Sequence, residues 1–414
     1  MEPEFLTPSK PLALPLASEE SFDFFSTWQR IAGISSLQHL PPAPYPSTSQ
    51  HGLAALLEIR NGDHVGTVAT NDQWQTRRRQ LNENVQWLLG EQPTGPKSVT
   101  AKTIFETACE GYVRRKIRLQ IENELGSQLL FQSSTNGRTH QRILQTVESE
   151  SVPAYLCLPA VTRLPRPAVI CLHQFNPAAG SRELVGLDAE HNDMAFADEL
   201  ARRGYVTLAF DLPGYGERHN EARRATEEIV DFYRAHPHGS LLGRMAWEIS
   251  CAVDYLSSLE VVDARRIGCM GHLLGGIVAL FASVLDERLR AVVASSACAS
   301  FRSQIENGSG RSIWCSGTGL LPILGFFEGE QASDLPFEYH EIVALIAPRP
   351  LFLCTPLRSE YFPREGLEEV ASHLQNLYSF LGHPERLAIR YPHYFIFFPE
   401  ELREETYQWL MRFL

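Results

Sequence analysis

The chain has 414 residues, 44% of them apolar, and a net charge of −12. That length allows one large α/β domain with decoration or two modest ones, and an acidic, mixed surface argues for solubility and against a nucleic-acid partner. No apolar run nears the roughly 18 residues of a membrane span, and the acidic start Met1 to Lys10 lacks the pattern of a secretory signal. A cytoplasmic protein with no membrane partner is therefore expected.

Residues 1–70 carry Pro41-Pro42, Pro44 and Pro46, with one candidate helix around Phe22 to Ile31. Phe22, Phe24, Phe25 and Trp28 are too aromatic for a plain solvated tail, so this segment reads as an arm that wraps the domain or covers a site. Residues 71–414 read as the main domain. Asn71 to Leu89 has Trp74, Leu81, Val85 and Leu88 at helical spacing, with Asn71 or Asp72 as its cap. Arg77-Arg78-Arg79 within it reads as a solvated face. Four short strands follow, Lys116 to Ile121, Leu129 to Gln132, Arg142 to Val147 and Pro153 to Leu158, with a turn signal at Asn136-Gly137.

From about residue 167 strands and helices alternate. Strands are expected at Ala168 to Leu172, Tyr205 to Phe210, Arg266 to Met270, Arg290 to Ser295, Pro350 to Cys354 and Leu387 to Tyr391. Helices are expected at about Asp193 to Arg203, Arg244 to Leu259, Leu274 to Leu285, Gly366 to Leu381 and Glu400 to Phe413. Gly204 reads as the glycine that ends the first of these. Such alternation demands a mostly parallel sheet covered by helices on both faces. The eight cysteines form no CxxC pair and read as buried free thiols. No His/Asp/Glu cluster has metal-ligand spacing and no Gly-rich phosphate loop is present, so neither metal nor cofactor is expected.

Gly271-His272-Leu273-Leu274-Gly275-Gly276 joins a strand to an apolar helix. This is the context of a nucleophile elbow, where glycines permit a sharp turn with the nucleophile at its tip. With Leu172-His173-Gln174, Ala201 to Val206, Gly214-Tyr215-Gly216-Glu217-Arg218 and Ile346-Ala347-Pro348-Arg349-Pro350, the chain resembles the α/β-hydrolases, in particular their dienelactone hydrolase and acetyl xylan esterase branch, from about residue 71 onward. The resemblance implies an α/β-hydrolase fold with a triad in the order Ser, Asp or Glu, His. It puts Leu273 at the Ser position. Alignment on Phe362-Pro363 puts Ser359 at the acid position, and alignment on Pro399 puts Ile396 at the His position.

Leucine cannot attack a carbonyl and isoleucine cannot take a proton, so the usual acyl-enzyme route is closed at the usual place. Leu273 and Ile396, with the Phe395–Phe398 run, instead suggest a dry pocket for an apolar small-molecule ligand. The backbone N–H of Leu274, and one near Gln174 and Phe175, are the expected oxyanion donors. Candidate catalytic side chains are His173, His272, Glu360 and His393. Asp188 and His191 overhang the site or cap a helix, and Asp211 and Arg218 read as a structural network. These features favour a non-hydrolytic enzyme of cyclase, lyase or isomerase type acting on a carbonyl-bearing metabolite. The alternatives are a pseudoenzyme that binds a ligand or acts as a scaffold, and an ester hydrolase whose catalytic groups are relocated or deliberately removed. Homo-oligomerisation stays open.

Overall fold

A computed structural model describes residues 23–36, 38, 43, 56–61, 64–93, 98–135, 138–160, 164–188, 192–327, 334–357, 359, 361–393 and 398–414; at 59–61, 64–65, 123–135, 138–148 and 311–312 it describes the backbone alone. Glu360, His191 and Ile396, singled out above, lie outside the described residues, as do Phe22, Pro41, Pro42, Pro44, Pro46, Phe395 and Phe397.

In chain order the elements are α1 (Phe24–Ala32), β1 (Glu58–Asn61), β2 (His64–Thr67), α2 (Asn71–Leu89), β3 (Ser98–Cys109), β4 (Tyr112–Thr135), β5 (Arg138–Pro159), β6 (Arg166–Leu172), α3 (Phe196–Arg202) and β7 (Val206–Phe210). They continue with α4 (Ala225–Ala235), α5 (Leu241–Ser257), β8 (Val262–His272), α6 (Leu274–Leu285), β9 (Leu289–Ser295), α7 (Phe301–Glu306), α8 (Tyr339–Val343), β10 (Leu351–Cys354), α9 (Arg364–Phe380), β11 (Leu387–Arg390) and α10 (Glu400–Phe413).

Among the described residues, nine strands form one sheet in the order β11-β10-β9-β8-β6-β7-β5-β4-β3. The run from β11 to β7 is parallel, and β5, β4 and β3 extend it as an antiparallel meander. The parallel strands read as unbroken apolar runs because both of their faces are covered. One face packs against α2, α5, α6 and α9, the other against α3 and α10. β6 lies between β7 and β8, so the connections leave it in opposite directions. That switch opens a crevice beyond the carboxyl ends of the strands, where such sheets bind ligands.

Three local expectations are corrected. The four short strands are parts of two long ones, β4 and β5. β4 and β5 pair from Tyr112↔Pro159 to Thr135↔Arg138, and bulges at Glu124/Ser127 and Leu129/Phe131 shift their register. The cap of α2 is Thr70, whose hydroxyl accepts the Gln73 N–H while the Gln73 side chain returns to the Thr70 N–H. The arginine run is not a free surface: Arg77 is buried and pairs with Glu341 at 2.5 Å, and Arg78 donates to the Leu345 carbonyl at 3.0 Å. In the N-terminal segment, α1 buries Phe24 and Trp28 against the domain. All eight cysteines are free thiols, seven of them buried.

Glu338 fixes the chain that follows β9. Its buried carboxylate accepts the N–H groups of Phe301 (2.5 Å), Arg302 (3.1 Å) and Tyr339 (2.6 Å), pinning the starts of α7 and α8 together. Burial still dominates and raises its pKa from 4.5 to about 7. A raised folded-state value means that the folded form binds the proton more tightly. Its contribution to stability is therefore complete below the unfolded value and is lost as pH rises through about 7. Each tenfold difference in proton affinity between the folded and unfolded forms is worth ~1.4 kcal/mol. The stability of the wild type minus that of Glu338→Gln should therefore fall by about 3 kcal/mol between pH 4 and pH 8. Urea unfolding across that range checks this, and a difference that grows with pH contradicts it.

Candidate active site

β8 enters α6 through a turn made of backbone against backbone. A Cβ on Gly271 would lie 2.2 Å from the carbonyl of Gly275, and one on Gly275 would lie 2.2 Å from the carbonyl oxygen of Leu172. No side chain fits at either place. Closing the turn this tightly drives its tip residue, Leu273, to φ 50° and ψ −113°. That region costs a residue with a Cβ on the order of 1–3 kcal/mol. The tip is held on both sides: its N–H donates to the Ser295 carbonyl and its carbonyl accepts the Ile277 N–H, each at 2.9 Å. The Leu273 side chain is fully buried in the main apolar cluster.

α6 begins with no side-chain cap and no acidic residue in its first turn. The Leu274 N–H has no partner among the described residues and sits at the positive end of the helix dipole. The loop after β6 lies beside it, since Gly275 meets the carbonyls of Leu172 and His173. In that loop the Gln174 N–H is committed to Glu183 at 3.0 Å, and the Asn176 side chain donates to the same carboxylate at 2.9 Å. The Phe175 N–H has no partner among the described residues. Of the backbone donors expected from the sequence, Leu274 and Phe175 are thus the two left unengaged.

The candidate side chains separate sharply. His173 is buried, with Nε2 accepting the Leu212 N–H at 3.1 Å, so Nδ1 must carry the proton that it donates to the Gln174 carbonyl at 2.8 Å. Both nitrogens are occupied, burial lowers its pKa, and Tyr215 packs against the ring at 5.1 Å. His173 therefore braces the loop and has no nitrogen to spare for proton transfer. His272 is buried with Nδ1 3.0 Å from the Ser295 hydroxyl, and its ring stacks on Phe398 at 5.6 Å. Ser359 is half-buried and accepts the Phe362 N–H at 3.0 Å, which closes its own turn. His393 is exposed.

Charged groups brace the loop after β7. Asp211 accepts from the Ser181 N–H (2.7 Å), the Ser181 hydroxyl (2.6 Å) and the Glu217 N–H (2.9 Å). Gly216, at φ 56°, lies so close that a Cβ there would be 2.4 Å from the Asp211 carboxylate. Arg218 bridges Glu248 at 2.7 Å, Glu150 and the Asp211 carbonyl, and Arg244 joins Glu150 and Glu248. Burial raises the Glu248 pKa while Arg218 opposes it. Asp188 accepts from Asn176 at 3.3 Å.

Sequence reasoning missed the adjacent hydroxyls Ser295 and Ser296 at the carboxyl end of β9. Their place beside the elbow strand, at the edge where such sheets bind ligands, was the available signal. A separate cavity of about 390 Å³, walled by Trp28, Ile34, Trp87, Leu88, Pro237 and Ile323 among others, shares no residue with the elbow.

A mostly parallel sheet with helices on both faces, and a glycine-bracketed elbow at the end of a central strand, define an α/β-hydrolase fold. The chain belongs to the glucuronyl esterase family: the family model described as "Glucuronyl esterase, fungi" matches residues 143–382, more than half of the chain. The Bacillus subtilis protein YtaP is 29% identical over 236 residues, covering 56% of this chain and 74% of its own. The 4-O-methyl-glucuronoyl methylesterase of Podospora anserina is 23% identical over 318 residues, covering 73% of this chain and 55% of that enzyme. A glucuronoyl esterase from Solibacter usitatus superposes with a TM-score of 0.63 at 16% identity, covering 89% of this chain and 98% of that one. At that identity the structural likeness is one of fold. The family is one of ester hydrolases, which overturns the expected cyclase, lyase or isomerase and the expected pseudohydrolase. An aliphatic elbow tip does not by itself decide against hydrolysis, because the tip is one residue of a larger constellation.

Leu273→Ala removes a buried side chain without relaxing the backbone. It should destabilise the protein by about 2–5 kcal/mol in urea unfolding. A loss below about 1 kcal/mol would show that the tip is not packed as described.

Proposed function

We propose that this chain is a carboxylic ester hydrolase acting on esters of uronic acids, with an attacking group that is not the side chain at the elbow tip. The observation that carries this reading is the family match over residues 143–382, which spans β6, the elbow, β9 and β10. In this reading Leu273, Ser359 and Ile396 stand where a serine hydrolase holds its nucleophile, acid and base. The ester's alkyl group meets the apolar Leu273, and its carbonyl oxygen faces the unengaged N–H groups of Leu274 and Phe175. Such preorganised donors are a large part of ester-hydrolase catalysis, each being worth about 10²–10³ in rate. Glu360 and His393 flank two of the substituted positions and are where a displaced acid and base would come from.

The test is turnover of methyl glucuronate, followed by release of methanol in proton NMR. Release above the buffer rate is expected, and a fluorophosphonate should leave residue 273 unlabelled because it offers no hydroxyl. Absence of release across methyl, alkyl and aryl esters of uronic acids contradicts the reading.

A further inference from the structure

Two non-glycine residues have positive φ among the described residues, Leu273 at 50° and Ser296 at 52°. They immediately follow neighbouring parallel strands, β8 and β9. Strain of this kind persists only where surrounding structure over-determines it, and it clusters at functional sites. Leu273 has a structural reason in the glycine-packed turn. Ser296 carries a second cost: its hydroxyl is fully buried and has no hydrogen-bond partner among the described residues. A buried orphan hydroxyl is destabilising.

Its surroundings point to one kind of ligand. The segment from Ser295 to Ala297 lies against the first turn of α6, since a Cβ on Gly276 would lie 2.9 Å from the Ser295 carbonyl oxygen and 2.6 Å from the Ala297 Cβ. Ser295 turns its side chain to His272 on the α10 side. Alternation along β9 places Val292 and Ala294 on the opposite side, which α6 covers, and Ser296 follows directly after the strand. The start of α6 has no acidic neighbour in its first turn, no side-chain cap and an unengaged Leu274 N–H. A donor hydroxyl beside a positive helix end suits an oxygen that bears negative charge.

We propose that Ser296 is a ligand-binding residue whose hydroxyl donates to an oxygen of a carboxylate or carboxylic ester seated at the start of α6. This rests on the ester-hydrolase reading for the class of ligand, not for the hydroxyl's availability. Because the hydroxyl is sealed from solvent, binding requires a local opening, and association falls below the roughly 10⁵–10⁷ M⁻¹s⁻¹ of docking to an exposed patch.

The experiment compares the wild type with Ser296→Ala, which keeps the strain and removes the hydroxyl, and with Ser296→Gly, which removes both. Thermal unfolding and the affinity for glucuronate and methyl glucuronate are measured on each. Both variants should melt higher than the wild type, Ser296→Gly highest, and bind at least fivefold more weakly. A structural hydroxyl would give the reverse, a lower melting temperature with unchanged affinity, and that result overturns the proposal. So does a wild type that binds neither compound. A wild type that binds both compounds but turns neither over, with affinity lost in Ser296→Ala, supports the role of Ser296 and counts against the hydrolase reading alone.

Discussion

The contact between the carbonyl of Gly275 and the α-carbon of Gly271 sets the geometry on which the rest of the site depends. With no side chain between them, β8 and α6 meet at backbone distance and the residue between must take a conformation that disfavours any Cβ. The same closeness brings the start of α6 against the carbonyls of Leu172 and His173, beside the loop that carries Phe175. Placing leucine at the tip does not relax the turn, because the strain comes from the flanking glycine contacts and not from the tip side chain. The backbone machinery of the elbow is therefore independent of what residue 273 can do chemically.

Around this core the charges act mainly as braces. Asp211 gathers three donors and the Arg218–Glu150–Glu248–Arg244 cluster locks β5, the loop after β7 and α5 together. Breaking a buried pair of this kind by removing one partner costs several kcal/mol, since a charge is left stranded. Glu338 does the corresponding work after β9, fixing two helix starts with one carboxylate. The consequence for function is positional. Both loops that bound the elbow are held by buried polar networks, which brace the backbone around Phe175 and Leu274.

Much of the parallel half was legible in the sequence because its signals are local. The glycines around Leu273, the uninterrupted apolar strands and Gly204 at φ 89° each carry their structural meaning within a few residues. The antiparallel half was less legible, since bulges shift the register of β4 and β5 and one long strand then reads as two. Arg77 was misjudged because its partner Glu341 is 264 residues away and nothing nearby announces it. Ser296 was passed over for a different reason: its place after β9 could be read from the sequence, but its positive φ and its unpartnered hydroxyl could not. The functional class was misread by weighing the side chains of Leu273 and Ile396 above the family whose model matches residues 143–382.

The most direct test of ligand binding at the elbow is a crystal structure of the protein with glucuronate bound. A carboxyl oxygen is expected at about 2.7–3.1 Å from the Leu274 N–H, beside Ser296 and above Leu273. Glucuronate found instead in the cavity walled by Trp28 and Trp87, with the start of α6 empty, would contradict that placement and the role given to the elbow.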